Sequence, residues 1–164
     1  MLRAVRHRVR QFAGALRPRV DAAARAEAYR WLSPAERALF ETMTLRDQQH
    51  GIDVYERVRS QASGDDAPLF VAALLHDCGK GRVALWQRVA HVLLGAAPGL
   101  RARIASERGA EWRRAMYRLL HHPELGARLA EQAGADADAV RMIREQESPG
   151  PDARLALLQA ADEA

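Results

Sequence analysis

The chain is poor in several residue types, and each scarcity removes a class of protein. It carries a single cysteine, Cys78, so no intramolecular disulfide can form and a disulfide-stapled scaffold is excluded. Aromatic residues make up only 5% of the chain, so a core has to be built from Leu, Val, Ala and Ile. No window approaches the run of about 18 uninterrupted apolar residues that a membrane-spanning helix needs. The N-terminus is basic but lacks the apolar stretch of a signal peptide. A soluble protein of the reducing cytoplasm, without a membrane span, is the expectation. Sustained period-two alternation with β-branched residues is missing, which argues against strands. There is neither a Walker-type glycine loop nor a G-x-S-x-G elbow. Lysine is almost absent as well: of 25 basic residues, Lys80 alone is not arginine.

What is present describes one helical domain. The 164 residues are 48% hydrophobic and 28% charged, an ordinary globular balance. Ala and Leu dominate the apolar set, and both are strong helix formers. The net charge is +4 with a sequence pI near 10.0. Arginines and acids interleave along most of the chain, as on solvated helix faces. Residues 1–17 differ: Arg3, Arg6, Arg8, Arg10 and Arg17 have no acid among them. This basic N-terminal arm lacks the interleaved aromatics of a single-strand binder and any familiar DNA-reading motif, so nucleic acid is not expected as a partner. It reads as a solvated terminus ahead of a domain spanning 18–164.

The domain reads as a compact all-α bundle of about eight helices. Pro18 suits the opening of a helix running to about Trp31. Ser33-Pro34-Ala35-Glu36 has the form of a capping box, with Ser at N-cap and Glu at N3. A third helix is expected from Leu45 to about Gln61. After the turn around Gly64, Leu69 to Leu75 is wholly apolar, which marks a helix buried on every side. Gly79 is suited to ending it. Val83–Leu94 reads as an amphipathic helix closed by Gly95 and Pro98-Gly99. Further helices are expected at roughly 109–120, 123–133, 136–146 and 152–163. Trp31, Trp86 and Trp112 are expected in the core or at its rim. No repeat or long linker divides the chain.

The chemistry concentrates at the end of the buried helix, where His76-Asp77 precedes Cys78-Gly79-Lys80. A carboxylate there is costly to bury unless it is paired or bound to a cation. An imidazole beside a carboxylate is a natural pair of ligands for a divalent ion. On local grounds an exposed helix end explains the same residues equally well. Two more residues bear on the choice: His50 on the preceding predicted helix, and Asp162 after the apolar stretch Leu155–Ala161. Asp47 and Asp53 flank His50 at helical spacing and suit second-shell acceptors of its ring or plain solvated acids. His91 reads as structural, and Cys78 as a small hydrophobe.

These residues together resemble the HD-domain superfamily of metal-dependent phosphohydrolases. Its H…HD…D pattern is matched by His50, His76-Asp77 and Asp162. Ala73-Leu74-Leu75-His76-Asp77-Cys78-Gly79-Lys80 is similar to the apolar-HD-x-G-K signature. Arg46-Asp47-Gln48-Gln49-His50 looks like the segment of the first histidine, with Arg46 a candidate substrate-binding cation. His122-Pro123-Glu124-Leu125-Gly126 resembles the H-P-E-x-G segment of HD-GYP-like relatives. The likeness spans roughly residues 45–163.

The resemblance implies an all-α fold with a divalent metal ion held by His50, His76, Asp77 and Asp162. A mixed imidazole–carboxylate set suits Mn²⁺, Fe²⁺, Co²⁺, Ni²⁺ or Mg²⁺. It implies cleavage of a phosphomonoester, nucleotide or phosphodiester by a metal-activated water, with Asp77 and Lys80 as catalytic residues. Lys80 alternatively caps a helix C-terminus. A second ion would fall to His121, His122 and Glu145 or Glu147. Relatives commonly show histidine where this chain reads Ile143-Arg144-Glu145-Gln146-Glu147, which favours one ion over two. The GYP signature is absent, against a cyclic-dinucleotide substrate. The alternative is a regulatory metal- or nucleotide-binding module that has lost turnover; a purely structural helical domain is the third reading.

Overall fold

Side-chain caps open most of the helices. In the computed structural model, which describes residues 20–148 and 150–164, Asp21 Oδ1 accepts from the backbone nitrogens of Ala23 and Ala24 at 2.9 Å. Helix α1 (Ala22–Tyr29) therefore starts at an aspartate cap and not at Pro18, which lies outside the described residues together with the arm 1–17. The capping box is present at α2 (Pro34–Thr42): Glu36 N donates to Ser33 Oγ, and Ser33 N donates to Glu36 Oε2 at 2.7 Å. Thr44 caps α3 (Leu45–Gln61), and Asp66 caps α4 (Ala67–Leu75). After a 3₁₀ turn at Cys78–Lys80 come α5 (Leu85–Leu93), α6 (Pro98–Ile104), α7 (Glu111–Gln132), α8 (Ala137–Glu145) and α9 (Ala153–Glu163). The described residues thus form nine α-helices and no strand, in one compact domain.

Helix α4 is the hub. Leu69 through Leu75 are all buried, and the helix packs against α3, α8 and α9. Phe70 sits edge-on to Trp31 at 4.8 Å and to Tyr55 at 5.4 Å, and the Trp31 indole donates to the Tyr55 hydroxyl at 2.7 Å. That satisfies the polar atom of each large ring as it is buried. Gly51 lets α3 approach α4 closely, since a Cβ there would stand 2.7 Å from the Leu74 carbonyl oxygen. A smaller cluster of Val83, Ala115, Met116 and Leu119 lies under α5 and α6.

Two expectations change, and a third gains a detail. Pro98-Gly99 does not merely close a helix; Pro98 opens α6, because a residue without an N–H is well suited to a first turn. The two segments expected at 109–120 and 123–133 are both helical and follow one another as α7, with a kink between them at the non-helical His121 (φ −118°, ψ 16°). Pro123 causes the kink, since it has no hydrogen for the Leu119 carbonyl and its ring crowds that group. Trp86 and Trp112 are not core residues: they are 58% and 41% exposed.

Candidate metal centre

The end of α4 brings its last residues to the middle of the bundle and leaves them there. His76 and Asp77 are 1% and 2% exposed, so the exposed-helix-end reading of these two residues does not hold. His50 reaches them from α3 and Asp162 from α9. His50 Nε2 lies 2.7 Å from Asp162 Oδ1, and His76 Nε2 lies 3.4 Å from that same oxygen. His76 Nε2 is also 3.4 Å from Asp77 Oδ1. Ligand atoms of His50, His76 and Asp77 all fall within 4.8 Å of one another, a spacing that could hold a metal ion. Residues as much as 112 positions apart thus converge on one point.

The histidine tautomers follow from the backbone. His76 Nδ1 lies 2.9 Å from the Ala73 carbonyl oxygen, which can only accept, so the proton sits on Nδ1 and the Nε2 lone pair faces Asp77 and Asp162. His122 repeats the device with Leu119, at 3.1 Å. Its acceptor is the carbonyl that Pro123 left without a helical donor, so the kink and the ring orientation have one cause. An Nδ1–H bound to a carbonyl with a free Nε2 is the usual state of a ligating histidine.

Two atoms in this cluster are buried without a hydrogen-bond partner: His76 Nε2 and Asp77 Oδ1. Lys80 Nζ lies 2.6 Å from both Asp77 oxygens and donates its hydrogen bond to Oδ2, so Oδ1 has a cation beside it though no hydrogen bond. Burial alone would raise the Asp77 carboxyl, but His76, Lys80 and His122 outweigh it and hold the group well below the carboxylate range. Burial likewise opposes ionisation of Asp162, and the hydrogen bond from His50 with the nearby His76 prevails, keeping it ionised. His76 is raised, because Asp77 and Asp162 more than offset the desolvation that lowers it. His122 is pushed down to about 4 by burial and by the Lys80 charge.

Asp77 Oδ1 faces two ways. Besides His76 it lies 3.7 Å from His122 Nε2, which is in turn 3.7 Å from Glu147 Oε1. Burial raises the Glu147 carboxyl, opposed by Lys80. The other residues expected around a second ion are not brought here. His121 is exposed at the kink with its ring 4.3 Å from that of Tyr117, and Glu145 pairs with Arg141 at 3.3 Å. Helical geometry accounts for the difference: Glu145 still belongs to α8, whereas Glu147 lies beyond its end, exposed, and its carboxylate can approach His122. Gln146, which sequence spacing did not single out, donates from Nε2 to the carbonyls of His76 and Ile143 at 2.9 and 2.8 Å. It ties the end of α8 to the end of α4.

The expected support of the His50 ring also differs. Asp47 is buried and pairs with Arg88 at 2.7 Å, while Asp53 accepts from Gln49, so neither orients His50; Asp162 does. Arg46 is exposed in the first turn of α3, one turn ahead of His50. Cys78 is buried, with its thiol pushed up to about 12 by burial and by Asp77, and behaves as an apolar filler. A shallow depression lined by Gln146, Glu147, Gln159, Asp162 and Glu163 opens beside the cluster.

No known protein family, curated protein or solved structure matches this chain. Among the described residues no helix is long and apolar enough to cross a membrane.

Proposed function

We propose that the chain is an HD-type metal-dependent phosphohydrolase acting on a small phosphorylated substrate or nucleotide in the cytoplasm. The observation that carries this reading is the buried His76 Nε2, without any hydrogen bond, facing Asp77 Oδ1 and Asp162 beside His50. Leaving such a nitrogen unsatisfied is costly, and a divalent cation would satisfy it and the carboxylates around it at once. The residues fit that occupant: His76 presents a ligand-form Nε2, His50 Nε2 stands beside it on Asp162, and two carboxylates are held ionised.

His50, His76, Asp77 and Asp162 would hold the ion. When bound, such an ion supplies Lewis acidity toward a phosphoryl oxygen and toward a water nucleophile. The chain's own residues do the rest. Ala73 and Leu119 fix two rings through their carbonyls, and Asp162 fixes the third. Lys80 holds Asp77 in its charged form, and an ammonium with three hydrogens has one to offer a phosphate oxygen. His122 and Glu147, on the far side of Asp77 Oδ1, are the residues for a second ion.

A binding module without turnover is the second reading, favoured by one observation. Gln146 stands in the stretch where HD-type relatives commonly carry histidine, and its amide is engaged by two carbonyls. Hydrolysis of an aryl phosphate and a nucleotide panel with added Mn²⁺ separates the readings, with the Asp77→Ala protein prepared identically. Turnover by the wild type that vanishes in the variant supports the hydrolase. Retention of Mn²⁺ by the wild type alone, with no turnover by either, supports the binding module. Loss of both in the folded wild type removes the metal reading altogether.

A further inference from the structure

Helix α5 presents its apolar stripe to solvent. Leu85, Trp86, Val89, Val92 and Leu93 recur at helical spacing, the pattern that normally faces a core. Here they are 40%, 58%, 45%, 74% and 71% exposed. The inward side is polar instead. Gln87 is buried and its Oε1 accepts from Ala84 N at 2.7 Å, and Arg88 reaches the buried Asp47 at 2.7 Å. These anchors fix the rotation of α5, since rolling the stripe inward would strand a buried carboxylate. Helix α6 adds Leu100, 52% exposed. A contiguous apolar surface of this kind on a folded domain marks an interaction site.

The charge carried by the segment that holds the stripe is of one sign. From Cys78 to Ser106 there is no acidic residue, although arginine and acid interleave elsewhere. Lys80 and Arg88 are matched by Asp77 and Asp47 from outside this segment. Arg82 and Arg103 are exposed and have no ion pair among the described residues, whereas Arg101 is half-buried and its charge acts on His91 and Glu147.

We propose that α5 and α6 form a docking face for an anionic lipid surface. The stripe enters the headgroup region, with the Trp86 indole at the polar boundary, and Arg82 and Arg103 meet lipid phosphates. Charge selects this occupant. A second copy would bring the same cations against themselves, and residues 1–17 are also basic and free of acids. Apart from the Trp86 indole, the stripe has no hydrogen-bonding side chain with which a protein partner could be oriented. Docking of this kind does not depend on hydrolysis at the metal centre.

The test uses the full chain with vesicles of pure phosphatidylcholine and of phosphatidylcholine mixed with phosphatidylglycerol. The wild type is expected to sediment with the anionic vesicles only, to be released by high salt, and to show a blue-shifted tryptophan emission. Trp86→Phe should lose most of that shift while Trp31 and Trp112 remain. The double variant Val92→Asp/Leu93→Asp changes two exposed positions, so its circular dichroism should match the wild type while its vesicle partitioning falls by about tenfold or more. The proposal is overturned if the wild type stays in the supernatant with anionic vesicles, or if the folded double variant binds them equally well. A wild-type dimer that the double variant dissolves, with no vesicle binding, would instead make the face a contact between copies.

Discussion

Gly79 and His122 pack backbone to backbone: a Cβ on Gly79 would overlap the His122 carbonyl oxygen and stand 2.5 Å from the Gly126 nitrogen. The turn that follows Asp77 is thereby pressed against the kink of α7. This contact sets Asp77 Oδ1 opposite His122 Nε2, and it joins two sequence motifs separated by more than forty residues.

Gly79→Ala should destabilise the fold by about 1–3 kcal/mol, because backbone on both sides cannot yield as a side chain would. Urea denaturation at neutral pH measures it. A wild-type midpoint in the variant would mean that the turn can withdraw from α7 at little cost.

Metal addition should stabilise the wild type and leave Asp77→Asn unaffected. After chelator treatment, Mn²⁺ at a hundred times its dissociation constant contributes about 2.7 kcal/mol, which raises the melting temperature. The variant is expected to melt lower from the outset, since Lys80 loses its ionised partner. An equal rise in both proteins would place the ion elsewhere.

His122 gives the metal-free protein an acid-side weakness. Its folded value of about 4 lies below the ordinary 6.5, so the unfolded chain takes up the proton first. The fold keeps its full stability above pH 6.5 and loses up to about 3 kcal/mol of it as pH falls toward 4. His122→Asn keeps a donor for the Leu119 carbonyl but cannot charge. Its denaturation midpoint should therefore fall less steeply between pH 6.5 and 4; parallel curves would refute the assignment.

Arg88→Met should cost about 3–5 kcal/mol, by leaving the Asp47 carboxylate buried with Thr44 as its remaining side-chain partner. Adding Asp47→Asn should recover much of that loss. Thermal unfolding of the two singles and the double gives the coupling, and additive effects would show that the pair does not hold α5 in place.

Much of the architecture was legible because its signals are local. The Ser33–Glu36 capping box, the limits of α3 and the all-round burial of α4 depend on residues within a few turns of one another. The approach of His50, His76, Asp77 and Asp162 was expected from resemblance to a spaced motif, and the geometry brings all four together. Other features were illegible for a physical reason. Asp47 could serve His50 or a distant arginine, and only the packing of α5 on α3 chose Arg88. Glu145 and Glu147 are equivalent as donors, and the end of α8 between them decided which one approaches His122. Proline at 98 reads as a stop or as a first turn, and the chain around it settled on the second.

The sequence by itself determined that the chain is helical and where most helices start and stop. Those properties follow from capping, propensity and periodicity, which act over a few residues. Tertiary structure decided the rest. Periodicity marks the apolar side of α5 but cannot say which way that side points. The direction was set by Arg88 reaching Asp47 and by Gln87 folding under the helix, contacts whose energy exists only once the elements have met.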